Sequence, residues 1–298
     1  MNKIGVIGAG KWGSALAFAL RQNSENEVYI TSRTPRDIEN FVSLEVVLSL
    51  KYIIIAIPAQ QISGWLKEHF VFHGQKILVA AKGIEASTGH FLNEIYAEYV
   101  PEENLAFVSG PSFAVEVMQS LPTAIVINTK NEQLALKFSA FFPSFIRTYV
   151  SDDVMGAEIS GAYKNVIAIA AGICEGLKLG NNAAASLISR GLVEMSRFGK
   201  AYGAEENTFM GLSGAGDLFL TASSTMSRNY RVGLGLAQGK DQQEILEELG
   251  EVAEGIGTAY ALHKIAKERT IYLPIATEVY EILEGKGPLD SLKDLLSR

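Results

Sequence analysis

The chain of 298 residues is 48% apolar, 20% charged and 9% aromatic, the composition of a folded protein long enough for two medium-sized domains. Its 33 acidic and 26 basic residues leave a formal net charge of −7, the wrong sign for a protein that coats nucleic acid or anionic lipid, so any anion site has to be local. One cysteine, Cys174, excludes an internal disulfide framework, and its neighbours Ile169, Ala170, Ile173 and Leu177 predict a buried structural thiol. No uninterrupted apolar run reaches the roughly 18 residues of a membrane span. Met1-Asn2-Lys3 leads directly into a strand pattern, not a cleavable leader, so a cytoplasmic protein without stable membrane insertion is expected.

Short β-rich runs at residues 3–7, 27–31, 52–57, 76–80, 105–108, 123–128 and 146–149 alternate with helical stretches. The runs are apolar on both faces, as buried parallel strands are, and predict an α/β fold with a Rossmann-like doubly wound parallel sheet over residues 1–150. Residues 33–43 form a polar link and 44–50 a short amphipathic piece that leads to the third run. Beyond Asp152 and Asp153 the strand signal stops. Helical spacing fills 155–179, 184–202, 230–238, 242–250, 258–268 and 274–283, and Gly180 with Asn181 and Asn182 reads as the stop of the first helix. A C-terminal all-helical domain over 151–298 follows.

The first strand runs into Gly8-Ala9-Gly10-Lys11-Trp12-Gly13, which opens a helix at Ser14. In that context the first glycine allows the tight turn and the second lets backbone approach a pyrophosphate. The third lets helix pack on strand with its N-terminus facing the anion, which reads as a dinucleotide site. The second strand ends at Ser32-Arg33-Thr34, where an acidic residue would favour the ribose hydroxyls of NADH. The guanidinium of Arg33 suits the 2′-phosphate of NADPH or stacks on adenine, so NADPH is the expected cofactor with NADH tolerated; a solvated surface arginine is the plain alternative.

Five further segments combine a cation or amide with small residues: Ala80 to Glu85 with Lys82, Ser109 to Ala114, Gly161 to Asn165 with Lys164, Leu212 to Leu218 with Asp217, and Met226 to Tyr230. Spacing alone leaves Lys164 either an acid–base group or a lysine snorkelling from an apolar helix. Asp217 reads equally as a helix cap, and Arg228 as an exposed cation. Arg228 and Asn229 open a predicted helix whose N-terminus favours an anion.

In order, these segments resemble the bacterial NAD(P)-dependent glycerol-3-phosphate dehydrogenases over nearly the whole chain. The resemblance implies reduction of dihydroxyacetone phosphate to sn-glycerol 3-phosphate, a small phosphorylated substrate, with no nucleic acid partner. Lys164 is similar to the catalytic lysine, with Asn165 beside it and Asp217 assisting. Lys82 looks like the lysine that touches cofactor and substrate, and Gly110, Ser112 and Ala114 line that pocket. Ser227, Arg228 and Asn229 resemble the phosphate-binding triplet, Arg228 also reaching the cofactor, and Val252 with Glu254 the second cofactor contact. A supply of glycerol phosphate to phospholipid synthesis is implied, and a symmetric homodimer is the default for the apolar helical domain. The link from Arg33 to Leu50 is shorter than in most members, on the adenosine side.

Two other readings compete. A ketopantoate or β-hydroxyacid reductase would also pair a nucleotide domain with a lysine-bearing helical domain, but its substrates carry a carboxylate where Ser227-Arg228-Asn229 suits a phosphate. An NAD(P)H-sensing binding protein would need neither lysine nor aspartate, and no helix pair with a basic face is present. His69 and His73 lack a third ligand nearby, and Phe138, Phe141, Phe142 and Phe145 read as core.

Overall fold

The computed structural model describes residues 1–297, which divide into two compact units. One comprises Met1–Lys82 and Leu92–Ala157; the other comprises Gly83–Phe91 and the chain from Glu158 onward.

The first unit is built on seven strands: β1 Asn2–Ile7, β2 Asn26–Thr31, β3 Tyr52–Ile55, β4 Lys76–Val79, β5 Leu105–Ser109, β6 Thr123–Asn128 and β7 Ile146–Ser151. Their order across the sheet is β2-β1-β3-β4-β5-β6-β7. Alternate residues of each strand go to opposite faces, so both faces have to be apolar. Ile54 and Leu78 join Leu16, Leu20, Phe138 and Phe141 on one side, whereas Ile53, Ile55, Ile77 and Val79 join Val47, Leu66 and Tyr96 on the other. The phenylalanine cluster is core, with Tyr52 meeting Phe138 and Phe141 edge-on at centroid distances of 6.1 and 5.0 Å.

The sheet is parallel throughout except at one junction, where β6 runs antiparallel to β5 and β7 then runs parallel to β6. The β5–β6 connection explains it. Gly110 (φ +100°) and Ser120 (φ +56°) turn the chain on either side of the short helix Ala114–Met118, which brings it back alongside instead of across the sheet. Between β2 and β3 the backbone of Asn40–Val42 lies along β2. Ile30 N–H donates to Asn40 O (3.1 Å) and Val42 N–H to Ile30 O (3.0 Å), so the link covers a sheet edge before the helix Leu44–Leu48 leads to β3.

The helix Val154–Gly176 belongs to the second unit from Glu158 onward and is buried on nearly every side from there to Cys174. Two glycines allow its close packing on the helix Arg228–Ala237. A Cβ on Gly172 would lie 2.0 Å from Tyr230 O, and one on Gly233 2.0 Å from Ile169 O. The predicted stop at Gly180 is corrected. The long helix ends at Gly176, Lys178 reverses the chain in the left-handed region (φ +56°), and Gly180 caps the start of the next helix, Asn181–Lys200, to which Asn181 and Asn182 belong. Gly83–Phe91 is held by an Ile84–Phe91 bridge and by Phe91 against Phe198 and Tyr202. Cys174 is buried, and burial pushes its thiol up, as suits a structural residue.

Glu194, 2% exposed, is a joint that sequence patterning does not reveal. Its carboxylate accepts from Tyr163 Oη (2.7 Å) and from the N–H groups of Ile275 (2.9 Å) and Ala276 (2.8 Å) at the start of the helix Pro274–Leu283. One acid thus ties three helices. Burial raises its carboxyl above the usual range despite the three donors. Removing it as Glu194→Ala strands a buried hydroxyl and two helix amides, and urea unfolding is expected to show a loss of about 3–5 kcal/mol. Glu194→Gln, which retains one acceptor oxygen, is expected to lose less.

Candidate active site

The sequence-predicted residues fall into two groups, one in each unit. In the sheet unit β1 ends at Ile7, and Gly8 N–H donates to Thr31 O of β2 at 2.9 Å. Gly8 turns the chain at φ +104°, with room for no side chain because a Cβ would sit 2.6 Å from Ala56 O. A Cβ on Gly13 would lie 1.8 Å from Gly8 O, so the helix Lys11–Arg21 packs directly against the turn. Gly10 borders open space and caps the helix without a side chain, and the first turn holds no acid. The backbone amides there meet the requirements of a pyrophosphate: unobstructed approach, a helix N-terminus and no competing carboxylate. Arg33 is exposed two residues beyond the end of β2.

Lys82, Gly110 and Ser112 converge on one atom. Gly110 O accepts from Lys82 Nζ at 3.1 Å and from Ser112 Oγ at 3.2 Å. Trp12 donates its indole N–H to Ala80 O at 3.0 Å, two residues before Lys82. Ala114 begins the helix that follows and packs on the same core.

In the helical unit Lys164 is 7% exposed and does not snorkel. Its ammonium contacts Asp217 Oδ1, itself 1% exposed, and donates to Thr221 Oγ1 at 3.0 Å. Thr221 sends its own proton to Asp217 O (2.6 Å), which leaves the hydroxyl oxygen to accept from the lysine. A charge this deeply buried needs such a partner. Asp217 is delivered by a widened, π-helical turn, Leu212–Gly216, closed by Gly216 N–H to Gly211 O (3.1 Å). The cap reading of Asp217 is therefore corrected: Gly216 holds the N-cap position of the helix Asp217–Ala222, and the carboxylate faces Lys164. Thr221 carries no sequence signal beyond its place one helical turn after Asp217.

Asn165 is 5% exposed and donates to Gly161 O within its own helix (3.2 Å). Its backbone touches Gly255, where a Cβ would meet Asn165 O at 2.8 Å and Asn229 Oδ1 at 2.7 Å. Asn229 Oδ1 accepts from Gly255 N–H at 2.9 Å, which turns the amide so that Nδ2, a donor, is its other end. Ser227 caps the helix Arg228–Ala237 by accepting from Tyr230 N–H at 3.2 Å, and that helix has no acid in its first turn. Arg228, half-exposed, lies 3.6 Å from the carboxylate of Glu251. Val252 is exposed and Glu254 opens the helix Glu254–Arg269. Lys164, Asn165, Asp217, Asn229 and Gly255 thus form one connected cluster.

Among the described residues no group of three or more His, Cys, Asp or Glu could hold a metal ion, and no helix is long and apolar enough to cross a membrane. Gly13→Ala has to displace the Gly8 carbonyl. Calorimetric titration is expected to show NADPH affinity reduced about 10- to 100-fold, the equivalent of an overpacking strain of about 1–3 kcal/mol.

The model of the NAD-dependent glycerol-3-phosphate dehydrogenase N-terminus matches residues 3–44 and 25–135, and that of the C-terminus matches residues 153–294. The chain is 71% identical over 297 residues to the glycerol-3-phosphate dehydrogenase [NAD(P)+] of Sulfurimonas denitrificans, covering 100% of both chains. It is 61% identical over 296 residues to that of Nitratiruptor sp., covering 99% of this chain and 98% of the relative. The crystal structure of glycerol-3-phosphate dehydrogenase from Coxiella burnetii superposes with a TM-score of 0.91 at 32% identity, covering 100% of this chain and 99% of that one. On the strength of both halves and of full-length identity, the chain belongs to the NAD-dependent glycerol-3-phosphate dehydrogenase family.

Proposed function

We propose that the chain interconverts dihydroxyacetone phosphate and sn-glycerol 3-phosphate with NADPH as the preferred cofactor, in the cytoplasm and as a homodimer, and so supplies glycerol phosphate for phospholipid synthesis. The observation that carries the reading is the buried ammonium of Lys164 held by Asp217 and Thr221 in a cluster continuous with Asn229 and the N-terminus of the helix Arg228–Ala237. That cluster offers a proton donor for a carbonyl oxygen and donors for a phosphate.

When bound at Gly8 to Gly13, the nicotinamide nucleotide supplies the hydride. As the ketone is reduced, negative charge grows on its oxygen; Lys164 stabilises that charge and delivers the proton from Nζ, and in the reverse direction Nζ takes it. Asp217 and Thr221 hold Nζ in place so that no reorientation is needed at the moment of transfer. Arg228, Asn229 Nδ2 and the amides behind Ser227 bind the substrate phosphate, with Arg228 exchanging Glu251 for it. Lys82 and Ser112, gathered on the carbonyl of Gly110, orient the rest of the substrate. Arg33 favours the 2′-phosphate of NADPH.

Lys164→Met is expected to reduce turnover about 10²- to 10⁴-fold while NADPH binding is retained, followed by the loss of reduced-nicotinamide absorbance with dihydroxyacetone phosphate; near-normal turnover removes Lys164 from the mechanism. Dihydroxyacetone without its phosphate is expected to be a poor substrate in the same assay. Arg33→Ser is expected to lower the ratio of NADPH to NADH kcat/KM about tenfold, the worth of one charge-assisted contact. An unchanged ratio places the preference elsewhere.

A further inference from the structure

The indole of Trp12 reaches from the phosphate loop to the end of β4. Trp12 is the second residue of the helix Lys11–Arg21, so its backbone belongs to the anion-facing turn, yet its Nε1 donates to Ala80 O over a sequence separation of 68 residues. Ala80 lies just beyond β4. Its N–H still continues the ladder to β3, donating to Ile55 O at 2.8 Å, whereas the β4–β5 register stops at the Val79–Phe107 pair. The indole therefore takes the Ala80 carbonyl at the point where the β-ladder ends. Ala80 is 1% exposed, so water is a poor substitute for that donor.

Beyond Ala80 the hydrogen bonds continue. Lys82 Nζ donates to Gly110 O (3.1 Å), which also accepts from Ser112 Oγ (3.2 Å), and Gly110 is in turn confined, with φ +100° and a Cβ that would lie 3.1 Å from Ala124 O. The loop that receives the pyrophosphate and the lysine assigned to the substrate are thus the two ends of a short rigid path. The path runs through one N–H that phenylalanine, an aromatic side chain with no donor, lacks.

We propose that Trp12 is a positioning residue for the substrate: its indole N–H fixes the Ala80–Lys82 segment to the phosphate loop, so that Lys82 is held for dihydroxyacetone phosphate by the same element that binds the nucleotide. This rests on the reading of Lys82 as a substrate-contacting lysine. Trp12 then does more than fill space beside the cofactor, and it acts through Lys82.

The test is a double-mutant cycle on the full chain with Trp12→Phe, Lys82→Met and the pair, reading the KM for dihydroxyacetone phosphate, kcat, the NADPH Kd by calorimetry and the Tm. Trp12→Phe is expected to leave the NADPH Kd within about threefold, because the backbone amides remain, and to raise the substrate KM about tenfold. Lys82→Met is expected to raise that KM at least as much, and the double variant no further than Lys82→Met alone, since both act on one contact. A purely structural role for Trp12 predicts a lower Tm, less active enzyme at unchanged KM, and effects that add. Additive effects, an unchanged KM in Trp12→Phe, or NADPH affinity falling in parallel with substrate affinity each overturn the proposal. If Lys82→Met leaves the KM unaltered, the reading of Lys82 falls and the proposal with it; if Lys82→Met acts and Trp12→Phe is silent, only the proposal falls. Trp12→Leu, an apolar side chain that likewise lacks a donor for Ala80 O, follows the same pattern and replaces Trp12→Phe should that variant not fold.

Discussion

An ammonium ion buried in an apolar helix is stable only with a compensating charge placed against it, and the helical unit is organised around that need at Lys164. Isolated, the charge would cost far more than the whole chain gains on folding. Asp217 meets it, and the local structure follows from its delivery. The π-helical turn Leu212–Gly216 widens the backbone ahead of Asp217, and Thr221, one turn on, takes a second proton of the ammonium while returning its own to the helix. The same charge that makes Lys164 expensive to bury makes it useful beside a carbonyl oxygen.

Close packing extends the cluster. Gly172 and Gly233 let the Lys164 helix and the helix Arg228–Ala237 touch through their backbones, and Gly255 has Asn165 on one side and Asn229 on the other. Lysine, amide and helix N-terminus therefore share one rigid frame whose spacing is set by the absence of side chains. Glu194 fixes that frame from behind by joining Tyr163, the neighbour of Lys164, to the start of the helix Pro274–Leu283. In the sheet unit the frame is the β-ladder itself. Gly8 and Gly13 close the turn after β1, and Lys82 gathers with Gly110 and Ser112 past the ends of β4 and β5, where an open α/β sheet offers unpaired backbone to a ligand.

Much of this was legible in the residues alone, and the reasons are local. A strand buried on both faces has to read as an unbroken apolar run, so Tyr52–Ile55 and Lys76–Val79 announce themselves, and Gly8 and Gly13 declare a tight turn because neither position has room for a side chain. A helix start is equally local, which is why the helix Arg228–Ala237 opens at Arg228 and Asn229 as the spacing predicts, although its cap, Ser227, was not read from the sequence. The stop at Lys178 was missed because a non-glycine residue takes the left-handed turn there, which composition disfavours.

By itself the sequence determined the alternation of strands and helices, the phosphate-binding turn, the change to an all-helical second half and, through ordered short motifs, the family. Those are properties of neighbouring residues, whose periodicity and backbone freedom are written in the chain. Only the tertiary structure decided the reversal of β6, the pairing of Lys164 with Asp217 in place of a helix cap, the inclusion of Thr221, the burial of Glu194 beneath three donors and the reach of Trp12 to Ala80. Each depends on which distant groups meet once water is removed. A buried polar atom chooses its partner by geometry across the fold, and sequence spacing carries no record of that distance.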